Sequence, residues 1–240
     1  MYEPRFYRDF SAIDNLLRYE VIEEESDLYV VSDVDLKERI KGLLSSYRSQ
    51  IINYIKKDPQ FQFSLSSHNI DKSAPEIVKT MAFETSKVNV GPMASVAGAV
   101  AEFIGRDISS ECGTVIIENG GDIFAKVSQP VKIGIYAGSS LLSNKIAIEI
   151  TPDETPLGIC TSSGTVGPSL SFGKADAACV VAKSATFADA CATAIGNMVK
   201  TEADVQRAVD FAATIEGIKG VVIIIENSIG IWGDIKIVKQ

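Results

Sequence analysis

The amino-acid sequence predicts an α+β fold with mixed, mostly antiparallel sheets and helices packed on their faces. Short strand-like runs separated by tight turns favour antiparallel pairing, and amphipathic stretches of helical period interrupt those runs. Longer connections between residues 113 and 199 leave parallel pairing open for some strands. Hydrophobic residues make up 46% of the 240 residues, which is enough for a substantial core, and we expect one domain over residues 1–240.

The segment expected at the centre of the sheet is Gly113-Thr-Val-Ile-Ile-Glu-Asn-Gly-Gly-Asp-Ile-Phe-Ala-Lys-Val127. Apolar runs on both sides of Asn119-Gly-Gly-Asp122 predict two strands that meet at a tight turn, because glycine tolerates positive φ. A simple hairpin turn would explain this pattern. The carboxylates of Glu118 and Asp122 beside a bare backbone favour a second interpretation, in which exposed N–H groups of the turn contact a ligand.

The N-terminal part of the chain predicts a strand pair followed by a long helix. Residues 5–33 alternate as strands do, and apolar residues at spacings of three and four predict a helix from residue 35 to about 57. Ser32 or Asp33 is its expected cap, and Asp58-Pro59 should end it.

Three further elements are predicted before the central hairpin. A short strand and a loop are expected over residues 61–70, and Pro75 opens a second helix over residues 76–86. Small residues between positions 94 and 101 belong to a third helix that we expect to stop at Gly105. They leave two alternatives open: close packing of this helix on another, or the close approach of a flat ligand.

Strands and helices also alternate after the hairpin. Ser184 is a suitable N-cap for a helix that extends to about residue 199, and a further helix is predicted over residues 201–214. The remaining predicted strands are residues 131–136, 145–150, 157–165 with a loop at the end, 176–182, 221–225, 230–232 and 235–238.

Asp189 and Thr193 are the candidate metal ligands. They stand four residues apart in the helix after Ser184 and therefore share one face. Their carboxylate and hydroxyl oxygens suit Mg²⁺ or Ca²⁺, with main-chain carbonyls, water or ligand phosphates at the other positions. The alternative is that Asp189, near the helix start, simply faces water.

Thr161-Ser-Ser-Gly164 is a second candidate binding segment. It follows a predicted strand, and its hydroxyl and N–H groups are of the kind that hold an anion. An ordinary turn has the same composition, so both interpretations stay open.

Composition and charge narrow the classes of function. The net charge of −8 argues against nucleic-acid binding, which depends on lysine and arginine contacts with phosphate. There is no apolar run of the roughly 20 residues that a membrane span needs. The first residues lack the apolar stretch of a secretory signal, so we expect the cytoplasm.

Cysteine and histidine usage limits the possible chemistry. Cys112, Cys160, Cys179 and Cys191 form no Cys-x-x-Cys pair, and we expect them to be buried apolar residues. His68 is the only histidine, which excludes a histidine pair. Any Ser-His-Asp arrangement must therefore use His68.

Four segments in sequence order resemble the ApbE superfamily, flavin transferases that hydrolyse FAD and pass FMN to a Ser or Thr of a partner protein. Glu118-Asn-Gly-Gly-Asp122 resembles the Asn-x-Gly-Gly-Asp hairpin of that family, and Thr161-Ser-Ser-Gly164 its Thr-Ser-Gly loop. Ser184-Ala-Thr-Phe-Ala-Asp-Ala-Cys-Ala-Thr193 is similar to its metal-binding Ser-Ala-x-x-Ala-Asp-Ala-x-x-Thr helix. Together with Val90-Gly-Pro-Met-Ala-Ser-Val-Ala-Gly-Ala99, they look most like a shorter branch of the superfamily whose activity is uncharacterised.

The resemblance implies an ApbE-like fold, Mg²⁺ and FAD as cofactor or substrate, and either transfer of FMN to an acceptor protein or hydrolysis of the FAD pyrophosphate. By this resemblance Asp189 and Thr193 bind Mg²⁺, and Asp189 is the catalytic candidate. The implied nucleotide-binding residues are Asn119, Gly120, Gly121, Asp122, Thr161, Ser162, Ser163 and Gly164.

Two departures from the family pattern bear on the reaction. Residues 95–97 replace the lysine of the Lys-Gly segment, and Ser169-Leu-Ser-Phe-Gly-Lys-Ala-Asp176 replaces the His-x-x-Asp-Pro-x-Thr-Gly segment. Three functions are therefore weighed: a Mg²⁺-dependent enzyme acting on the phosphoanhydride of FAD, a nucleotide-binding or regulatory module without turnover, and a role in sulfur chemistry. The sequence leaves the acceptor and the oligomeric state open.

Overall fold

Two sheets form the framework of the chain. The computed structural model describes residues 16–167 and 171–240. An eight-stranded sheet has the strand order β1-β2-β3-β4-β7-β8-β9-β10, and a three-stranded sheet has the order β11-β6-β5. The strands are β1 (Leu17–Glu23), β2 (Ser26–Ser32), β3 (Val115–Asn119), β4 (Asp122–Lys126), β5 (Val131–Gly134), β6 (Ile146–Ile150), β7 (Leu157–Ser162), β8 (Ala177–Ala182), β9 (Ile218–Ile225), β10 (Ser228–Gly233) and β11 (Lys236–Lys239).

Every neighbouring pair of these strands is antiparallel, so the parallel pairing left open for residues 113–199 does not occur among the described strands. The six α-helices of the described residues are α1 (Lys37–Lys57), α2 (Gln60–Phe63), α3 (Glu76–Ser86), α4 (Val96–Ile108), α5 (Ala185–Met198) and α6 (Val205–Thr214). The predicted α+β class with mostly antiparallel sheets is confirmed.

The large sheet separates two hydrophobic cores. Ile117 and Phe124 point to one face, where they join the core formed with the helices. Their neighbours Ile116 and Ala125 point to the other face and pack with residues of the three-stranded sheet. This alternation follows from the period of two along a strand, and it explains why both faces of the central strands carry apolar residues.

Several elements have boundaries that differ from those predicted from local patterns, and tertiary contacts explain the differences. Residues 60–63 form α2 rather than a strand, with Phe61 fully buried. Helix α4 continues past Gly105 to Ile108. Position 105 needs a glycine because a Cβ atom there would lie 2.1 Å from Cδ1 of Phe124. The glycine serves close packing and does not end the helix.

The expected cap of α1 was wrong. Ser32 is the last residue of β2, and the side chain of Asp33 accepts hydrogen bonds from the N–H groups of Gly113 and Thr114. The strand-like pattern before residue 16, and Ser169 and Leu170, lie outside the described residues. Within the described ranges, none of the helices combines the length and hydrophobicity that a membrane span requires.

Candidate functional site

The connection between β3 and β4 is a tight two-residue turn. Asn119 pairs with Asp122, and Gly120 and Gly121 between them have φ values of 68° and 101°. A turn of this kind needs positive φ at both central positions, which explains the two glycines. The N–H of Gly121 donates to Oε1 of Glu118 at 2.7 Å. This N–H is therefore already bonded, which corrects the expectation that it is free for a ligand.

The start of α4 joins the hairpin to α5. The side-chain amide of Asn119 donates to the carbonyl of Ala97 at 3.2 Å, and the N–H of Gly98 donates to Oδ2 of Asp189 at 2.9 Å. Helices α4 and α5 approach closely here, because a Cβ atom on Gly98 would lie 2.5 Å from the carbonyl oxygen of Ala185. Of the two alternatives for the small residues of α4, close helix packing is correct at Gly98.

Asp122 and Asp189 form a buried acidic pair. Each is 8% exposed, and Oδ1 of Asp122 has no hydrogen-bond partner within the described part of the chain. Burial, followed by the negative charge of Asp189, raises the pKa of Asp122 well above its usual range. Burial also raises the pKa of Asp189 to about 7, although the hydrogen bond from Gly98 opposes this shift. A proton or a cation is therefore needed to offset the buried charge.

Cys160 lies beside this pair. It faces Asp122 across the β4–β7 pairing, so both side chains project from the same face of the sheet. Its thiol donates to the carbonyl of Ala185 at 3.3 Å. Burial, then the charges of Asp122 and Asp189, raises the pKa of Cys160, so the group stays a protonated thiol.

Thr193 adds further oxygen atoms on the face of α5 that carries Asp189. It lies one helical turn after Asp189 on α5, and its hydroxyl is 3.5 Å from the carbonyl oxygen of Ala94. Ala94 belongs to a short 3-10 turn that leads into α4. A carboxylate, a hydroxyl and a main-chain carbonyl therefore lie along one side of α5. The part of the chain that the structure describes holds no group of three His, Cys, Asp or Glu side chains suited to a metal.

The loop after β7 satisfies its own backbone. The hydroxyl of Ser163 accepts from the N–H groups of Thr165 and Val166 at 3.1 and 2.9 Å. The N–H of Gly164 donates to the carbonyl of Ala175 at 2.8 Å. The N–H of Gly164 is therefore not free for an anion, which corrects the expectation for that residue of the Thr161-Ser-Ser-Gly164 segment. Contact of Ser163 and Gly164 with a ligand stays a prediction.

The first two residues of this loop segment lie near the other candidate residues. A Cβ atom on Gly121 would lie 3.7 Å from the carbonyl oxygen of Thr161. A Cβ atom on Gly196, near the end of α5, would lie 3.5 Å from Oγ of Ser162. The end of β7 is therefore adjacent both to the hairpin turn and to α5.

Comparison with known proteins identifies the family. Residues 10–231 match the family model described as AbpE bacteria. The chain belongs to this family. A UPF0280 protein of Methanocaldococcus jannaschii is 38% identical over 220 residues, which cover 90% of this chain and 89% of that protein. A UPF0280 protein of Methanococcus aeolicus is 44% identical over 200 residues, which cover 81% of each chain.

Solved structures support the same fold. A point mutant of the flavin transferase ApbE from Vibrio cholerae matches with a TM-score of 0.61 at 14% identity, covering 90% of this chain and 96% of that one. The apo flavinyl transferase ApbE of Pseudomonas stutzeri matches with a TM-score of 0.57 at 12% identity, covering 93% and 95%. At such low identity the likeness establishes the fold alone.

In this AbpE-family chain, sequence patterns missed the partners that hold α5. Oε2 of Glu102 accepts hydrogen bonds from Oγ of Ser184 and from the N–H and hydroxyl of Thr186, at 2.7, 2.9 and 2.9 Å. Glu102 and Ser184 also line a surface groove of about 460 Å³ that does not include Asp122 or Asp189. Glu102 lies four residues after Gly98 on α4 and therefore shares a face with the glycine that contacts α5. This spacing is the sequence signal that could have predicted the contact of Glu102 with α5.

Close packing at Gly98 gives a prediction on stability. We expect Gly98→Ala to lower the free energy of unfolding by about 2 kcal/mol or more, because its Cβ would overlap the backbone of Ala185. Gly42 is the matched control. It lies within α1 with nothing within 4 Å of an added Cβ, so Gly42→Ala should raise stability by about 0.5–1 kcal/mol. Urea unfolding measures both, and equal effects would contradict the packing argument.

Proposed function

We propose that this AbpE-family chain binds FAD together with Mg²⁺ and cleaves the phosphoanhydride of the nucleotide. The observation that carries the proposal is the buried pair of Asp122 and Asp189, with one oxygen of Asp122 unpartnered among the described residues. Two neighbouring buried carboxylates are costly unless a cation or a proton offsets their charge. The names of the structural neighbours, flavin transferases, suggest the nucleotide.

The donor set fits a hard cation. Asp189 and Thr193 would hold it through a carboxylate and a hydroxyl oxygen, and the carbonyl of Ala94 lies beside Thr193. Mg²⁺ commonly keeps several water ligands and takes others from substrate phosphates, so few protein side chains are needed. The proposed nucleotide-binding residues are those of the hairpin and of the β7 loop: Asn119, Gly120, Gly121, Asp122, Thr161, Ser162, Ser163 and Gly164.

Within this proposal each group of the chain has a distinct role. Mg²⁺ held by Asp189 and Thr193 would neutralise phosphate charge and stabilise the leaving group. The N–H of Gly98 orients the carboxylate of Asp189, and Asn119 fixes the hairpin to the start of α4. Cleavage of the phosphoanhydride of FAD releases AMP, and FMN passes either to water or to a Ser or Thr hydroxyl of an acceptor protein.

The second candidate is a module that binds the nucleotide without turnover. It is favoured by the segment before β8, residues 169–176, which replaces the His-x-x-Asp-Pro-x-Thr-Gly segment of the family pattern. Asp176 is the one carboxylate of that segment, and both of its oxygens are engaged. Oδ1 accepts from the hydroxyl of Thr165 at 2.8 Å, and Oδ2 accepts from the N–H of Glu226 at 2.6 Å. Asp176 therefore holds the loop, and no catalytic function is needed to explain it.

Product analysis separates the two candidates. We expect incubation with FAD and Mg²⁺ to release AMP, with FMN free or attached to a Ser/Thr acceptor protein, as measured by mass spectrometry of small molecules and protein. The controls are the same mixture with a chelator and the Asp189→Asn variant. Intact FAD after prolonged incubation, with binding retained, would support the module without turnover.

The burial of the thiols disfavours sulfur chemistry. The four cysteines are buried, and burial raises the pKa of each, to about 11 for Cys179 and about 12 for Cys191. Thiolates are therefore scarce at neutral pH, and the thiolate is the reactive form. Alkylation of the native protein should accordingly reveal no fast-reacting cysteine.

A further inference from the structure

His68, the single histidine of the chain, lies outside the proposed cation site and links α1 to the segment after α2. Its Nε2 is 2.8 Å from Oδ2 of Asp58, and its Nδ1 is 3.2 Å from Oγ of Ser64. The hydroxyl of Ser64 also donates to the carbonyl of Gln60 at 2.8 Å. The side chains of His68 and Asp58 are 19% and 27% exposed, so the pair is partly shielded from water.

The three contacts together define where the protons are. A hydroxyl has one hydrogen, and in Ser64 it points to the carbonyl of Gln60, so Oγ accepts from Nδ1 of His68. The carboxylate of Asp58 is an acceptor, so Nε2 of His68 donates as well. All three contacts coexist only when both ring nitrogens carry a proton. Consistently, the hydrogen bond from His68 lowers the pKa of Asp58.

Other titratable groups near His68 and Asp58 lie in α1 and in the segment after α2. The hydroxyl of Tyr54 is 3.5 Å from Oδ2 of Asp58 and accepts from the N–H of Asp71 at 3.1 Å. Asp71 in turn pairs with Lys57 at 3.8 Å, near the end of α1. The ring of Phe61 meets His68 edge-on at 6.3 Å. Among the described residues, Asp58 is therefore the ionised group in direct contact with the imidazole ring.

A path of close contacts leads from Ser64 to the proposed cation site. A Cβ atom on Gly91 would lie 1.7 Å from the carbonyl oxygen of Ser64, so the two backbones touch at this point. The carbonyl of Gly91 accepts from the N–H of Ala94 at 3.0 Å. The carbonyl of Ala94 is the oxygen that faces the hydroxyl of Thr193 at 3.5 Å. The position of Ser64 therefore bears on the position of Ala94.

We propose that protonated His68 is a positioning residue, which holds Ser64 against Gly91 and thereby fixes the carbonyl of Ala94 beside Thr193. The part of this inference that concerns cation affinity rests on the proposed function. Cation affinity then depends on a hydrogen bond made outside the site.

Hydrogen exchange of the metal-free protein tests the contact by itself. We expect the amides of residues 93–95 to exchange about tenfold faster in His68→Gln than in the parent, because the hydrogen bond between His68 and Ser64 is lost. Ser64→Ala, a smaller change, should act in the same direction. Lys57→Gln, which removes the adjacent ion pair, is the matched control.

Equal exchange of the amides of residues 93–95 in the parent and in His68→Gln would overturn the positioning role. A Mn²⁺ titration, followed by the electron paramagnetic resonance signal of the free ion, tests the link to the cation site. We expect the dissociation constant to rise about threefold or more in His68→Gln and to stay within about twofold in Lys57→Gln. Altered exchange with unchanged Mn²⁺ affinity would overturn that link. Absence of Mn²⁺ binding in the parent would contradict the proposed cation site, while the exchange result still decides the role of His68.

Discussion

Asp189→Asn is expected to abolish the Mg²⁺-dependent rise in melting temperature that FAD produces in the parent protein. A ligand that binds only the folded state raises its stability, by about 2.7 kcal/mol at a hundredfold excess over its dissociation constant. For a chain of this size, that corresponds to a shift of roughly 5–10 °C. Without the carboxylate of Asp189 the cation loses its main proposed ligand. Differential scanning calorimetry of metal-stripped protein, with FAD and with or without Mg²⁺, measures the shift.

Asparagine is chosen because it retains the fold around the site. Its side-chain carbonyl can still accept from the N–H of Gly98, which donates to Oδ2 of Asp189 in the parent at 2.9 Å. Asp210→Asn is the matched control, since Asp210 is exposed on α6 and accepts a hydrogen bond from Gln206. A shift in Asp189→Asn as large as in the parent and the control would show that the cation assignment is wrong.

The hairpin and the face of α5 could be predicted from sequence because their signals are local. Two adjacent glycines between polar residues suffice to predict the turn at Gly120 and Gly121. Spacing of four suffices to place Asp189 and Thr193 on one face of a helix. The placement of these residues is what the structure shows, and their role as ligands is a proposal.

Contacts between distant segments could not be predicted in this way. The partner of Asp189 is the main-chain N–H of Gly98, 91 positions away, and a backbone donor leaves no signal in the residue type. Likewise, the glycine at position 105 resembles a helix stop until the ring of Phe124 is seen against it. Two further statements stay predictions: that residues 1–240 form one domain, and that the chain is located in the cytoplasm.

Buried carboxylates also predict an unusual pH dependence for the metal-free protein. The pKa of Asp189 rises from 3.8 to about 7, and that of Asp122 also rises above 3.8, chiefly through burial. Between the unfolded-state and folded-state pKa values of Asp189, the folded state binds more protons than the unfolded state. The free energy of unfolding should therefore fall as pH increases. We expect a loss on the order of 2 kcal/mol between about pH 5 and pH 8. Urea unfolding in the presence of a chelator measures it.

Two comparisons assign this loss to the acidic pair. Carboxyl groups with lowered pKa, such as Asp58 and Asp204, destabilise the fold only on protonation, below about pH 4, so the chosen window excludes their effect. Asp189→Asn should flatten the profile, because it removes one of the two buried charges. Saturating Mg²⁺ should restore stability at about pH 8, where both carboxylates are ionised and the proposed cation offsets them. If the free energy of unfolding of the metal-free parent stays level or rises across this window, burial does not raise the pKa values of the two carboxyl groups, and the argument is wrong.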